Sequence, residues 1–240
     1  MQLKILSWNI WCGTHLDQVV DFLKNRDYDI IALQEGCIDT RGNIIETIAG
    51  GLGYQYAHAV DMNLPVRFIP GYAPDDMRMI KFGPAILSKH KIVKSNVIKL
   101  TEEDNKLIIT ADIEIEGKIL HIYSVHLNHT HQTQSDLQDL QAKNLVELAK
   151  GENTMVMGDF NSLPESSVIK ILESSLADSE IGPATPTWSV YRDGCTVCLI
   201  DEVKHKLDYI FTSKDMKVHK FTVHDSKASD HLPISVVVEF

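Results

Sequence analysis

The sequence contains no long uninterrupted apolar run. None of its apolar stretches approaches the roughly 20 residues that a membrane-spanning helix needs, which argues against an integral helical membrane protein. Residues 1–4 lead straight into an apolar segment, without the basic and apolar regions that make up a signal peptide. We therefore expect a cytoplasmic location.

Cysteine is scarce, since the chain has only Cys12, Cys37, Cys195 and Cys198. Without a secretory signal, these residues are expected to be reduced thiols. Cys195 and Cys198 form a Cys-x-x-Cys pair, but a zinc site needs two further ligands, and His205 is the only obvious one nearby. We interpret this pair as reduced, partly buried thiols, and the other two cysteines as packing residues.

Positive charge is also in short supply. The 240 residues contain 23 Lys and Arg against 33 Asp and Glu, for a net charge of −10. A nucleic-acid binder that relies on a broad basic surface is therefore disfavoured. An enzyme that meets a phosphate through bound metal fits the charge, because the ion supplies positive charge locally. Neither repeats nor Gly/Ser linkers divide the sequence, so we predict a single domain over residues 1–240.

Hydrophobic periodicity predicts strands that outnumber helices. Helical spacing indicates helices over 15–25, 44–52 and 134–150, and a capping box at 162–165 predicts a fourth that ends near 173. The mixture of hairpins and helix-flanked strands favours a mixed sheet with helices outside. Strands are predicted over 4–10, 29–33, 54–60, 84–88, 107–115, 118–127, 154–157, 207–212, 218–223 and 234–240.

The segment 61–82 is predicted to be a long loop, because Pro65, Pro70 and Gly71 stand at turn positions. It mixes basic and aromatic residues, which could hold a phosphate and its leaving group. Arg67 and Arg78 are the candidate substrate contacts in this loop. The alternative is a cover loop that makes no specific contacts.

Polar side chains with catalytic potential follow or begin several predicted strands. Since such strand ends converge on one rim of a sheet, these residues are expected to lie close together. Taken singly, most of them are as well explained by caps, turns or solvated surface. They are Asn9, Gln34, Glu35, His126, Asp159, Asn161, Asp208, Asp230 and His231.

This set suits the hydrolysis of a phosphate ester. Mg²⁺, for which Mn²⁺ is a possible substitute, takes oxygen ligands such as those of Glu35 and Asp230. A histidine held by a carboxylate can act as a general base for water, and His231 with Asp208 is the candidate pair. His126 could instead form a transition-metal site with His129 and His131. We favour a catalytic His126 and interpret the other two as loop residues.

At these positions the chain resembles the deoxyribonuclease-like endonuclease/exonuclease/phosphatase superfamily. Each motif alone is weak, but together they occur in the family's order and cover nearly the whole chain. The matching strings are Ser7-Trp8-Asn9-Ile10, Leu33-Gln34-Glu35, Ala85-Ile86-Leu87-Ser88, Val125-His126-Leu127, Gly158-Asp159-Phe160-Asn161, Leu207-Asp208-Tyr209-Ile210-Phe211 and Ser229-Asp230-His231-Leu232-Pro233.

The resemblance implies a fold and a set of roles. The fold would be a four-layer α/β/β/α sandwich, with two packed mixed sheets and outer helices. Asn9, Glu35 and Asp230 would hold the metal. Asp159 and Asn161 would position the attacking water and contact the phosphate, or hold a second metal. His231 would complete the catalytic set as a base or phosphate ligand, with Asp208 orienting its ring and His126 opposite it. For substrate binding we predict that Asn128 joins Arg67 and Arg78.

Two departures from the family pattern bear on the substrate. The repair-type endonucleases carry an acidic residue just after the first-strand asparagine, where this chain has Ile10-Trp11-Cys12-Gly13. Lys206 also stands where many members have arginine. Both differences argue against DNA repair, and the first more closely resembles the sphingomyelinase-like and broad phosphodiesterase branches.

The sequence therefore predicts a metal-dependent hydrolase of a phosphoester, with a phosphodiester as the leading substrate. The alternatives are a DNA or RNA endonuclease or exonuclease of the same superfamily and a catalytically silent binding module. The expected partner is the substrate itself, whether a small molecule, a lipid headgroup or a nucleic acid, and no obligate protein partner is evident. The natural substrate does not follow from fold and motif.

Overall fold

The computed structural model describes residues 1–60, 62–195, 197–198, 200 and 202–240. Within them, the helices are α1 (Leu16–Lys24), α2 (Ile44–Leu52), α3 (Asp136–Leu148) and α4 (Ser167–Glu173). The strands are β1 (Gln2–Asn9), β2 (Ile30–Asp39), β3 (Gly42–Asn43), β4 (Gln55–His58), β5 (Met62–Pro65), β6 (Met79–Ser88), β7 (Lys91–Lys99), β8 (Leu107–Ile115), β9 (Lys118–His126), β10 (Thr154–Asp159), β11 (Ala177–Asp178), β12 (Asp208–Thr212), β13 (Lys217–Val223) and β14 (Ile234–Glu239).

The described strands form two sheets. The first has the order β13-β14-β1-β2-β6-β4, with β3 added to β2 and β5 added to β6. The second has the order β11-β12-β10-β9-β8-β7. Only the pairs β1–β2 and β9–β10 are parallel among the described strands. Each sheet thus contains one parallel pair of strands. Several of the polar residues that the sequence predicts for catalysis lie at the carboxyl ends of these pairs.

Side-chain alternation in β1 shows how the layers are held together. Leu3 and Ile5 join a buried cluster that contains apolar residues of both sheets. Leu6 and Trp8 belong to a second cluster, with residues of α1 and α2. Because both faces of the strand are covered, its residues from Ile5 to Asn9 are all buried. Each fully buried side chain of this size stabilises the fold by about 1.5–3 kcal/mol.

The outer face of the second sheet is covered in the same way by α3 and α4, through residues such as Leu145 and Leu172. The order of layers is therefore helix, sheet, sheet, helix. This arrangement confirms the predicted sandwich of two packed mixed sheets with outer helices. None of the helices in the described ranges has the length and apolarity needed to cross a bilayer.

The ends of α2 follow directly from its sequence. Asn43 caps the first turn, with its Oδ1 accepting hydrogen bonds from the backbone N–H of Ile45 at 3.1 Å and of Glu46 at 3.4 Å. The helix ends at Gly53, whose φ of 73° lies in the left-handed region that glycine adopts without steric cost. The predicted helix over 44–52 is therefore confirmed.

The prediction of a loop over 61–82 is wrong for part of its length. Asp61 lies outside the described residues, but the next four residues form β5, which pairs with the early part of β6. Pro65 is the last residue of β5, where the missing N–H does not interrupt the strand. Ile80 and Phe82 are buried and extend β6 upstream of its predicted start.

Two further differences have simple causes. Strand β7 was not predicted, because most of its residues are exposed and its sequence lacks apolar alternation. It is an edge strand that pairs only with β8 among the described strands. The fourth helix starts at Ser167, later than the predicted capping box, because Ser166 provides the cap by accepting from the backbone N–H of Ile169 at 3.3 Å. Ser162 lies outside the helix, and its carbonyl accepts a hydrogen bond from the Tyr209 hydroxyl at 2.9 Å.

Candidate active site

The candidate site lies where the parallel pairs of the two sheets end. Asn9 is the last residue of β1, and Glu35 follows its partner Gln34 in β2. In the second sheet, Asp159 ends β10 and stands opposite both His126 of β9 and Asp208 of β12. The loop before β14 adds Asp230 and His231. The strand-end convergence expected from the sequence is therefore present.

A buried carboxylate–imidazole pair forms one side of the site. The Nδ1 atom of His231 lies 2.9 Å from Oδ2 of Asp208, which also accepts a 2.6 Å hydrogen bond from the Thr187 hydroxyl. The other ring nitrogen, Nε2, lies 3.6 Å from Oδ2 of Asp159. Asp208 thus fixes the orientation of the imidazole ring and directs Nε2 toward the second carboxylate.

The surrounding charges determine the protonation of His231. Burial alone would lower its pKa, but the charges of Asp208, Asp159 and Asp230 outweigh that effect and raise the pKa well above its usual value. The ring is therefore an imidazolium at neutral pH. A cation that is held by a carboxylate can stabilise negative charge on a phosphate.

His126 has the opposite character. It is buried, and its Nε2 lies 3.6 Å from Oδ2 of Asp159. Burial, followed by the charges of Lys106 and His231, lowers the pKa of His126 well below its usual value. The site therefore pairs a neutral imidazole with a charged one on either side of a single carboxylate.

Acidic groups and one amide form the other side of the site. The Nδ2 group of Asn9 donates to Oε1 of Glu35 at 3.3 Å and to Oδ2 of Asp159 at 3.1 Å. Burial raises the pKa of Asp159 to about 6 and that of Asp230 to about 7, against the ordinary value of 3.8. The raised values show that negative charge is crowded here and that a cation would relieve it.

The donor set suits a hard divalent cation. Glu35 and Asp230 offer carboxylate oxygens, the ligands that Mg²⁺ prefers. The amide oxygen of Asn9 already accepts a hydrogen bond from the backbone N–H of Trp11 at 3.1 Å and has one lone pair left. Ligand atoms of Asp159, Asp208 and His231 also lie within 4.8 Å of one another. In the group of Asp159, Asp208 and His231, the hydrogen bond between the imidazole and Asp208 already occupies one carboxylate oxygen. Glu35 and Asp230 therefore fit the cation better.

A β-bulge places Glu35. The pairing of β2 with β6 shifts register between Leu33 and Gly36, and Glu35 has a φ of 57°. Bulges of this kind redirect side chains and are common beside active sites. The predicted end of this strand at residue 33 is wrong, because β2 continues to Asp39. The side chain nevertheless reaches the site, where the Cys12 thiol lies 3.7 Å from its Oε2.

Asn161 is held by several hydrogen bonds. Its backbone N–H donates to Oδ1 of Asp159 at 2.8 Å, and its Nδ2 donates to the carbonyl of Leu127 at 3.0 Å. Its Oδ1 lies 2.8 Å from Nδ1 of His129, which places an N–H on that ring nitrogen because the amide oxygen can only accept. The predicted phosphate contact by Asn161 stays a prediction.

A pocket of about 350 Å³ contains these groups. Asn9 and Asp208 lie behind the lining and support it through their hydrogen bonds. Six of the residues predicted from the sequence line it directly, namely Glu35, His126, Asp159, Asn161, Asp230 and His231.

The two predicted arginine contacts lie away from this pocket. Arg78 forms an ion pair with Asp76 at 2.6 Å, and neither it nor Arg67 belongs to the lining. The same segment instead contributes the apolar residues Leu64 and Ile69. Substrate binding by the arginines stays a prediction.

Sequence reasoning missed Lys106 and Trp188, two residues of the pocket that interact with its acidic groups. Lys106 lines it, and burial lowers the pKa of this lysine despite the nearby Glu35 and other acids. Trp188 donates from its ring N–H to Oδ2 of Asp230 at 3.1 Å. Neither residue belongs to a motif. Asn128, a predicted substrate contact, lies outside the lining and donates from its Nδ2 to Asp104 at 3.1 Å.

Solved structures with the same fold cover nearly all of the chain. An endonuclease/exonuclease/phosphatase family protein from Leptotrichia buccalis is 23% identical with a TM-score of 0.73, over 99% of this chain and 100% of that one. The human Nocturnin catalytic domain with bound sulfate anion is 21% identical with a TM-score of 0.75, over 100% and 93%. The 3′ phosphatase NExo from Neisseria bound to product DNA hairpin is 18% identical with a TM-score of 0.73, over 99% and 100%.

A search of curated protein sequences found no match to this chain. In contrast, the family model described as "Endonuclease/Exonuclease/phosphatase family" matches residues 6–231, which include every residue of the pocket named above. The match agrees with the strand-end motifs, the two-sheet sandwich and the buried acid and histidine set. The chain therefore belongs to the endonuclease/exonuclease/phosphatase family.

Proposed function

We propose that the protein is a Mg²⁺-dependent phosphodiesterase that cleaves a small or lipid-like phosphodiester. The observation that carries the proposal is the meeting, in one pocket, of the His231–Asp208 pair with Glu35, Asp159 and Asp230. Phosphoester hydrolysis requires both neutralisation of the anionic substrate and activation of water. The pocket offers separate groups for these two tasks.

Glu35, Asp230 and Asn9 would hold the metal. When bound, Mg²⁺ or Mn²⁺ neutralises charge on the phosphate and polarises its oxygens. The hydrogen bonds of Trp188 and Ser229 to Asp230, at 3.1 Å and 3.3 Å, hold that carboxylate in place. Such supporting contacts orient a ligand and strengthen metal binding.

Asp159 is the candidate general base. Its pKa of about 6 leaves it ionised at neutral pH, yet close enough to neutrality to accept a proton from water. The raised pKa of His231 argues against a base role for this histidine, because an imidazolium has no free lone pair. His231 would instead donate from Nε2 to a phosphate oxygen. His126, which is neutral, would donate to a second oxygen or to the departing group.

The test is hydrolysis of bis(p-nitrophenyl) phosphate with Mg²⁺, with Mn²⁺ and with EDTA. We expect metal-dependent turnover that falls by about 10²–10⁴-fold in Glu35→Gln and in His231→Gln. Glu147→Gln and His121→Gln are matched controls, since both side chains are partly exposed and neither lines the pocket. Thermal melting of every variant separates loss of chemistry from loss of fold.

Three outcomes would count against the proposed function or its site. Turnover that survives both substitutions would show that the site assignment is wrong. A folded protein that binds Mn²⁺ but hydrolyses no phosphoester would support the binding-module alternative. The nuclease alternative predicts cleavage of DNA or RNA at rates well above those for small diesters.

A further inference from the structure

A second cluster of metal-ligating side chains lies at the edge of the same pocket. It consists of His129, His131, Cys195 and Cys198, whose ligand atoms all lie within 4.8 Å of one another. Nε2 of His129 is 2.9 Å from Nδ1 of His131, and this Nδ1 lies 3.5 Å and 3.4 Å from the two sulfur atoms. The sulfur atoms are 2.8 Å apart.

We propose that these four side chains bind a zinc ion. A tetrahedral site with Zn–S bonds of about 2.3 Å and Zn–N bonds of about 2.0–2.1 Å has ligand atoms roughly 3.3–3.8 Å apart. Five of the six separations in the cluster run from 2.8 Å between the sulfurs to 4.0 Å between Cys195 and His129, the sixth is within 4.8 Å, and together they bracket that range. Two thiolates and two imidazoles favour Zn²⁺ over the hard cations that carboxylates select. A site with four protein ligands is structural, because it leaves no open position for a substrate.

The hydrogen bonding of His129 supports the assignment independently of the cluster. Its Nδ1 donates to Oδ1 of Asn161 at 2.8 Å. The proton on Nδ1 leaves the lone pair on Nε2, the atom that faces His131 and Cys195. Metal-binding histidines commonly use their second nitrogen in this way, which fixes the tautomer and the ring orientation.

The proposed zinc joins two segments that are distant in sequence. His129 and His131 follow β9, whereas Cys195 and Cys198 lie between Gly194 and β12. His129, His131 and Cys195 also line the active-site pocket. The ion would therefore fix one wall of the pocket and, through His129, the position of Asn161. A search for ligands close in sequence suggested His205, but the cluster takes its histidines from more than 60 residues upstream.

The experiment measures the zinc content of the whole chain, purified without chelators and dialysed against buffer with Mg²⁺ but no zinc. We expect about one zinc per chain in the wild type and almost none in Cys195→Ser/Cys198→Ser. Cys37→Ser is the matched control, because Cys37 is buried, lies outside the pocket and donates to a backbone carbonyl that serine can also reach. It should retain the zinc.

Cobalt substitution adds a readout that a carboxylate site does not give. Co²⁺ in the cluster should show thiolate charge-transfer absorption and the intense visible bands of tetrahedral coordination, both absent from the double variant. Asn161→Ala should weaken zinc binding by about 10–100-fold, because it removes the acceptor that orients His129.

Titration of free thiols shows the state of Cys195 and Cys198 in a protein that holds no zinc. A wild-type protein without zinc would overturn the proposal, whether Cys195 and Cys198 titrate as reduced thiols or as a disulfide. So would retention of the cobalt spectrum in the double variant. Because zinc content and spectra are measured without substrate, their outcome is independent of whether the protein hydrolyses phosphodiesters.

Discussion

Two histidines of the pocket have very different proton affinities, although both are imidazoles, and two of its aspartates differ from aspartates in water. His231 is surrounded by carboxylates and is charged, whereas burial keeps His126 neutral. Asp159 and Asp230 hold their protons more tightly than a solvated aspartate does. At the scale of the residue, burial and neighbouring charge therefore assign the roles, and the residue type does not.

Metal binding should depend on pH through Asp230. In the metal-free protein this carboxyl has a pKa of about 7, so below that pH a cation must displace a proton. We expect the affinity for Mn²⁺ to fall about tenfold for each pH unit below 7 and to level off above it. Calorimetric titrations at three pH values between about 5.5 and 8 would check this. Asp230→Asn should bind more weakly and with a shallower pH dependence; an equally steep slope would contradict the assignment.

The raised pKa of Asp230 also determines how the stability of the metal-free fold changes with pH. The pKa of Asp230 is raised from 3.8 to about 7 in the folded, metal-free protein. Between these values the folded state holds a proton that the unfolded state has released. This group therefore makes the metal-free fold less stable as the pH rises from about 4 to 7.

The candidate chemistry was largely predictable because it depends on short motifs at strand ends. Asp208 is an example, since an acid among apolar strand residues needs a partner, and His231 is the partner that the structure shows. Lys106 and Trp188 could not be predicted, because no local pattern announces a residue that reaches the pocket from another part of the fold. The meeting of His129 and His131 with Cys195 and Cys198 was missed for the same reason.

At the scale of the elements, Gly158 shows how closely β9 and β10 must approach. A Cβ at this position would meet the carbonyl oxygen of Val125 well inside contact distance, and its φ of 149° lies in a region that other residues rarely adopt. The next residue is Asp159. The glycine thus allows the parallel pairing that brings Asp159 beside His126.

Replacing this glycine should be costly. We expect Gly158→Ala to lower the free energy of unfolding by about 3 kcal/mol or more, through steric overlap with backbone and an unfavourable φ. Gly50→Ala is the matched control, because a Cβ there meets no atom within 4 Å and its position inside α2 favours alanine by about 0.5–1 kcal/mol. Urea unfolding measures both. A loss below about 0.5 kcal/mol for Gly158→Ala would show that the strands can separate cheaply.

Element predictions succeeded where periodicity was strong and failed where it was not. Strand β8 has an apolar residue at every second position from Leu107 to Ile115 and was found, whereas the exposed edge strand β7 carries no such pattern. The bulge at Glu35 was also beyond prediction, because it depends on pairing with β6 and not on its own sequence.

On the scale of the whole molecule, an excess of negative charge faces an anionic substrate. The net charge of −10 repels a small phosphodiester at long range, and added salt screens this repulsion. We expect kcat/KM for bis(p-nitrophenyl) phosphate to rise slightly, by up to about twofold, between 50 and 200 mM salt. A duplex nuclease that contacts many phosphates would show the opposite, a steep fall of about 10³-fold or more in binding. The sign of the slope on each substrate separates the two functions.

The carboxylates of the pocket come from both halves of the sandwich. Glu35 and Asp230 belong to the first sheet and its loops, whereas Asp159 and Asp208 belong to the second. Like charges therefore face each other across the boundary between the sheets and push the two halves apart. A divalent cation held by Glu35 and Asp230 on the first sheet would attract the carboxylate of Asp159 across that boundary, so the ion that serves the chemistry would also draw the two layers together at their active end.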